Sequence, residues 1–207
     1  MLHTLSGFLK FPAVYRLFTR LIGGYVLRRR FIEVHLAPRP GWRVLDVGCG
    51  TGELLAYMPQ GVTYVGFDPC KQYLEQARRT YGPRGDFYLG GVEDWSPQTL
   101  GNFDAVVAFG LLHHLPDVVV VDFFQKARQC LAARRGVVAV LEPCLRPGLS
   151  PLVQLLLKSD RGAFVRDRQG YEALARRVFP VTRSLYFTEG VRIPYCCLML
   201  CCRIDLG

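Results

Sequence analysis

The stretch Trp42-Arg-Val-Leu-Asp-Val-Gly-Cys-Gly-Thr-Gly52 sets strand-forming residues directly before three glycines at alternate positions. Val44, Leu45 and Val47 followed by Gly48, Gly50 and Gly52 describe a buried strand that turns sharply into a helix starting near Glu53, with glycines where a ligand approaches the backbone. A small molecule is expected to lie across this turn. The dinucleotide pattern G-x-G-x-x-G would need a glycine at position 53, where Glu53 stands. Asp46 at the strand tip repels a pyrophosphate and suits a ligand carrying an ammonium group. The loop is suited to a cationic nucleoside.

Two further stretches extend this plan. Val62-Thr-Tyr-Val-Gly-Phe-Asp68 reads as a second strand ending in an acid twenty residues beyond Gly48. At that spacing a carboxylate on the next strand tip accepts two hydrogen bonds from ribose hydroxyls; a helix N-cap is the competing reading. Phe103 to Phe109 is apolar nearly throughout, as expected of a parallel strand covered on both faces, and runs into Gly110-Leu-Leu-His-His-Leu115.

In this order, each at a strand end, the three stretches resemble the class I S-adenosylmethionine-dependent methyltransferases of small-molecule type, over residues 40 to 142. The resemblance implies an α/β, Rossmann-like, doubly wound seven-stranded sheet. It would be mostly parallel with an antiparallel last strand, with N-terminal helices and a cap insertion after strand five. It also implies S-adenosyl-L-methionine as cofactor, held first by Asp46, Gly48, Cys49, Gly50 and Gly52, then by Asp68 and Pro69. Phe109, Gly110 and Leu111 would pass beneath its methionine part. The family usually has an acid, receiving the adenine amino group, where this chain has Gly91, so the adenine falls to Glu93, to Asp94 or to backbone groups of Gly91 and Val92. Trp95 either stacks on the adenine or plugs the core. N-terminal helices of the family close over the cofactor, which would bring Tyr15 and Tyr25 to the site; packing on the sheet edge is the plainer alternative.

The 207 residues suit one domain with a full core and a modest cap. It divides into an N-terminal helical lid (1–40), a cofactor-binding core (41–142), a cap insertion (143–170), and a last helix with a terminal hairpin (171–207). Half the residues are apolar and 21% charged, which excludes a disordered chain. No uncharged apolar run reaches the length of a membrane span, and Lys10, Arg16 and Arg20 interrupt the apolar N-terminus too often for a signal peptide, so the expected compartment is the cytoplasm. The net charge of +9 is uneven: +6 over residues 1–40, −2 over 41–142, +3 over 143–170 and +2 over 171–207. The surplus sits outside the cofactor core and points to an anionic acceptor or to peripheral contact with anionic membrane, against a merely solvated surface.

His113 and His114 are the candidate catalytic residues, as a general base, against capping roles for both. No metal site is expected, since no third ligand is spaced near them. Pro143, Pro147, Gly148 and Pro151 open the cap, in which Arg161 and Arg166 are candidates for binding an anionic group, against local pairing with Asp160 and Asp167. Most of the eight cysteines stand in apolar contexts without zinc-site spacing and read as reduced packing residues; on the last strand Cys197 and Cys201 share one face, Cys196 and Cys202 the other. The function expected is methyl transfer from S-adenosylmethionine to a small-molecule or lipid-like acceptor. The competing classes are a nucleic-acid methyltransferase, disfavoured because no N/D-P-P-Y type motif follows the fourth strand, and a non-catalytic binding protein of the same fold.

Overall fold

The computed structural model of the chain describes residues 24–132, 136–151, 153, 163–187 and 196–204. The described part of the N-terminal region is α1 (Gly24–Arg30), which continues as a π-helical turn, Phe31–Leu36. Ala37, with φ 45°, ends it by donating its N–H to the Ile32 carbonyl. Leu27, Phe31, Ile32 and Leu36 are buried beneath it, and at roughly 1.5–3 kcal/mol for each large apolar side chain they hold this segment on the sheet.

Seven strands follow: β1 (Arg43–Val47), β2 (Thr63–Asp68), β3 (Gly85–Leu89), β4 (Ala105–Phe109), β5 (Val137–Pro143), β6 (Val181–Phe187) and β7 (Cys197–Arg203). They form one sheet in the order β3-β2-β1-β4-β5-β7-β6. The first five strands pair in parallel, while β7 lies antiparallel between β5 and β6, as the Rossmann-like expectation required. The turn of the terminal hairpin, at Glu189-Gly190, lies outside the described residues, as do the helices expected before residue 24 and, apart from the buried Val153, the apolar cap helix expected over 152–157.

Strand residues alternate between two cores. Leu45, Val47, Val106, Val140 and Leu198 meet α4 (Asp117–Cys130) and α5 (Arg168–Arg176) on one face. Val44, Tyr64, Val107, Leu141 and Met199 meet α1 and α2 (Lys71–Tyr81) on the other. A sheet covered on both faces has strands that read as continuous apolar runs, which is why β4 shows no alternation in the sequence. A short helix, α3 (Pro97–Leu100), precedes β4. The segment after the glycine loop is a 3₁₀ helix, Glu53–Tyr57, because Pro59 and Gly61 leave room for little more than one turn.

The strand order reverses between β1 and β4. In open α/β sheets a ligand binds outside the carboxyl ends of the strands at that point, so topology and glycine loop indicate the same place.

Candidate active site

A cleft of about 340 Å³, partly open to solvent, lies at this reversal point. Its lining includes Asp46, Gly48, Cys49 and Gly50 from the glycine loop and Phe109 from the end of β4, all anticipated from the sequence. Gly48, Gly50 and Gly52 have φ of 74°, 55° and 76°, values that L side chains rarely adopt. At Gly48 there is also no room: a Cβ there would lie 2.9 Å from Leu111 Cδ1, so the β4 loop packs directly on the glycine backbone.

Asp46 is 1% exposed. Its Oδ2 accepts a 2.6 Å hydrogen bond from the Tyr64 hydroxyl, and its Oδ1 is buried with no hydrogen-bond partner. Burial raises its pKa to about 7, against the lowering effect of the Tyr64 bond. A buried carboxylate oxygen without a donor costs free energy, and a cationic ligand group removes that cost.

Asp68 accepts the Gly50 N–H on Oδ2 and the Cys70 N–H on Oδ1, both at 2.8 Å. Burial raises its pKa while these two bonds lower it. The carboxylate therefore shapes the glycine loop and the start of α2, with one lone pair left on each oxygen. Cys49 packs into the space left by Gly66, where a Cβ would stand 2.8 Å from its sulfur, and burial pushes its thiol far up and makes it inert. In the turn after β3, Asp94 Oδ2 accepts the Gly91 N–H at 2.8 Å. The Glu93 carboxylate folds over Gly91 so closely that a Cβ at Gly91 would lie 3.1 Å from Oε2.

Three polar lining residues were not among the expected site residues. Arg28, from α1, is 7% exposed, pairs with Glu53 at 2.8 Å and lies over the Phe109 ring at 5.1 Å. Arg28, Glu53 and Thr51 complete the polar wall. Nothing in Arg28-Arg29-Arg30 separates the buried member of the run from the others. Tyr25 was the residue expected from this helix; it is 52% exposed and does not line the cleft, because the helix turns the face of Leu27, Arg28 and Phe31 inward. Tyr15 lies outside the described residues.

A fourth unforeseen residue is Glu142. Fully buried near the end of β5, it accepts the N–H groups of Leu111 and Leu112 on Oε1 and that of His113 on Oε2. The His113 ring stands with Nδ1 2.6 Å from Oε2. His113 is buried and His114 exposed, the two rings 3.9 Å apart, and His113 Cε1 would lie 3.7 Å from a Cβ on Gly110.

Arg166 corrects another expectation. Its guanidinium gives Nε and Nη2 to Asp117 and bonds the carbonyls of Leu112, Leu115 and Phe164. With five N–H donors and five acceptor contacts, it has nothing left for an anionic ligand. It stitches the cap to the β4 loop, and among the described residues its acidic partner is Asp117 rather than Asp167, Asp160 lying outside them. Arg161 lies outside the described residues. Among the described residues no group of three or more His, Cys, Asp or Glu could hold a metal ion, and no helix is long and apolar enough to cross a membrane.

The topology and cleft define a Rossmann-like protein with a ligand cleft at the reversal of strand order. A solved geranyl diphosphate C-methyltransferase from Streptomyces coelicolor superposes with a TM-score of 0.69 at 12% identity, over 87% of this chain and 80% of that one. Residues 44–134 match the family described as methyltransferase domain. Over that stretch the chain is similar to the class I S-adenosylmethionine-dependent methyltransferases. A ubiquinone biosynthesis O-methyltransferase of Thiobacillus denitrificans is 38% identical over 95 residues, 44% of this chain and 40% of that protein. A tRNA U34 carboxymethyltransferase of Alteromonas mediterranea is 29% identical over 150 residues, 66% of this chain and 42% of that protein. The chain spans about two fifths of the length of these curated relatives.

Proposed function

We propose that the chain binds S-adenosylmethionine in this cleft and transfers its methyl group to the oxygen of a small-molecule or lipid-like acceptor. The observation that carries the reading is the unpartnered Asp46 Oδ1 beside a buried arginine: a carboxylate and a guanidinium in one cleft complement the ammonium and carboxylate of a methionine group. Asp46, with Glu53, takes the ammonium and Arg28 the carboxylate. The remaining lone pairs of Asp68 take the ribose, and Glu93, lying where the family's acid would project, takes the adenine amino group. Asp94 is committed to the Gly91 N–H.

When bound, the sulfonium supplies an electrophilic methyl carbon. The chain's part is to align the acceptor with it and to exclude water, which lowers the barrier without side-chain covalency. An oxygen acceptor must lose a proton. We assign that step to His113: Nδ1 faces the buried Glu142 carboxylate at 2.6 Å, and with Nδ1 protonated Nε2 is the basic nitrogen. Oxygen is favoured as the acceptor atom because the 38%-identical relative is an O-methyltransferase.

Calorimetry with S-adenosylhomocysteine tests the binding. Wild type should bind it and not NAD, and Arg28→Ala and Asp68→Ala should each weaken it by about 1.5–3 kcal/mol, the range for hydrogen bonds to charged groups. Binding of NAD with none of S-adenosylhomocysteine would overturn the proposal. Turnover of a phenol panel, lost in His113→Ala while cofactor affinity stays, tests the oxygen acceptor and its base. A second reading, a tRNA acceptor, has the Alteromonas relative and the basic surplus in its favour; salt-sensitive binding of tRNA together with inert phenols would select it.

A further inference from the structure

The β5–β7 ladder sets Pro143 opposite Cys197 and continues one residue further, where the Cys144 N–H donates to the Cys196 carbonyl at 2.8 Å. Cys144 and Cys196 thus face each other across adjacent antiparallel strands, in the core cluster that also contains Leu112 and Leu198. Directly opposed residues at a hydrogen-bonded antiparallel position have Cα atoms about 5.5 Å apart, within the span of a disulfide. The Cys144 thiol donates to the Leu145 carbonyl at 3.3 Å. Across the ladders Cys197 faces Pro143 and Phe187, Cys201 faces Ala139 and Arg183, and Cys202 faces Val138 and Thr182.

The pair is also chemically asymmetric. The neighbouring Cys144 thiol and the Arg146 guanidinium hold the Cys196 thiol below its ordinary range, against the effect of burial. The Cys144 thiol is correspondingly pushed up, by Cys196 and by burial. Thiolate character is what makes a cysteine nucleophilic, so one of the two thiols is primed and the one on the facing strand held as a thiol.

We propose that Cys144 and Cys196 are a reversible dithiol–disulfide site, with Cys196 the attacking sulfur and Cys144 the resolving one. This inference is independent of the methyl-transfer reading. With a hydroperoxide as oxidant, the Cys196 thiolate attacks one peroxide oxygen, the O–O bond breaks, hydroxide leaves, and Cys196 becomes a sulfenic acid. The Cys144 sulfur then attacks the Cys196 sulfur, the S–S bond forms, the S–O bond breaks, and the oxygen leaves as water with the Cys144 proton. In sum the two thiols lose two electrons and two protons, and hydrogen peroxide becomes two waters. The new bond ties β5, two residues beyond Glu142, to the start of β7, and closes a covalent loop around residues 145–195.

The test is hydrogen peroxide treatment of the full, freshly reduced chain, followed by alkylation, digestion without reductant and peptide mapping. The dominant cross-link should join the peptides containing Cys144 and Cys196, two hydrogens lighter than their sum, and dithiothreitol should reverse it. The unfolding temperature of the treated wild type should rise, with no rise in Cys144→Ser. Dimedone should trap a sulfenic acid at Cys196 in Cys144→Ser and none at Cys144 in Cys196→Ser. Oxidation confined to other cysteines, or linkage of any other pair in the folded protein, overturns the proposal. The wild-type map decides the question even if a serine variant fails to fold.

Discussion

Asp46 and Glu142 are each the penultimate residue of a parallel strand, on the same edge of the sheet, and they are 1% and 0% exposed. Their surroundings are opposite. Glu142 accepts three backbone N–H groups and faces the His113 ring, so its charge is answered wholly from within the chain. Asp46 has one donor, the Tyr64 hydroxyl, and one oxygen with none. Burial and position in the strand do not separate a structural carboxylate from one held for a ligand; the count of donors does. The chain meets the cost of burying Glu142 with hydrogen bonds from the β4 loop and leaves Asp46 Oδ1 without a donor.

The largest effect that would break this comparison is on stability. Glu142→Ala leaves the N–H groups of Leu111, Leu112 and His113 without their acceptor, and the expected loss is about 3–5 kcal/mol, read as a fall in the urea midpoint. An unchanged midpoint would show that the β4 loop does not depend on this carboxylate.

Asp46→Asn should behave in the opposite sense. Cofactor affinity falls by about 1.5–3 kcal/mol, because a charge-assisted contact is lost. The ligand-free protein, however, gains stability at neutral and alkaline pH. The folded-state pKa of about 7 lies above the ordinary aspartate value, so the native chain holds this proton more tightly than the unfolded one. Stability from this group is present below about pH 4 and is lost as pH rises towards about 7, at no more than about 1.4 kcal/mol per pH unit. Comparing the pH dependence of unfolding in wild type and Asp46→Asn isolates that slope. Identical profiles would mean that Asp46 is already ionised at little cost.

Smaller effects are expected at the cap. Arg166→Ala removes the donor to three carbonyls and should cost about 1–2 kcal/mol while leaving S-adenosylhomocysteine affinity unchanged. Asp117→Ala should cost under about 1 kcal/mol, since its side chain is 66% exposed and solvent screens the pair. A rise in melting temperature with phosphate that disappears in Arg166→Ala would restore the anion-site role.

What the sequence determined by itself is the order of strands and loops from Arg43 to Leu141, the antiparallel terminal hairpin and the glycine turn. Each depends on residues adjacent in the chain: apolar runs form strands, and backbone with positive φ favours glycine. The positions of Asp46 and Asp68 at strand ends were legible for the same reason, from the apolar runs before them. Tertiary structure alone decided which charged groups are shared between distant segments. Glu142 meets partners 29 to 31 residues away, and Arg166 meets Asp117 across 49 residues. Arg28 reaches Glu53 only because α1 lies against the glycine loop. Hydrogen bonds and ion pairs are satisfied by proximity in space and leave no periodic trace in the chain. For that reason Arg28 looked like its neighbours Arg29 and Arg30, and Arg166 looked like an exposed cation open to an anion.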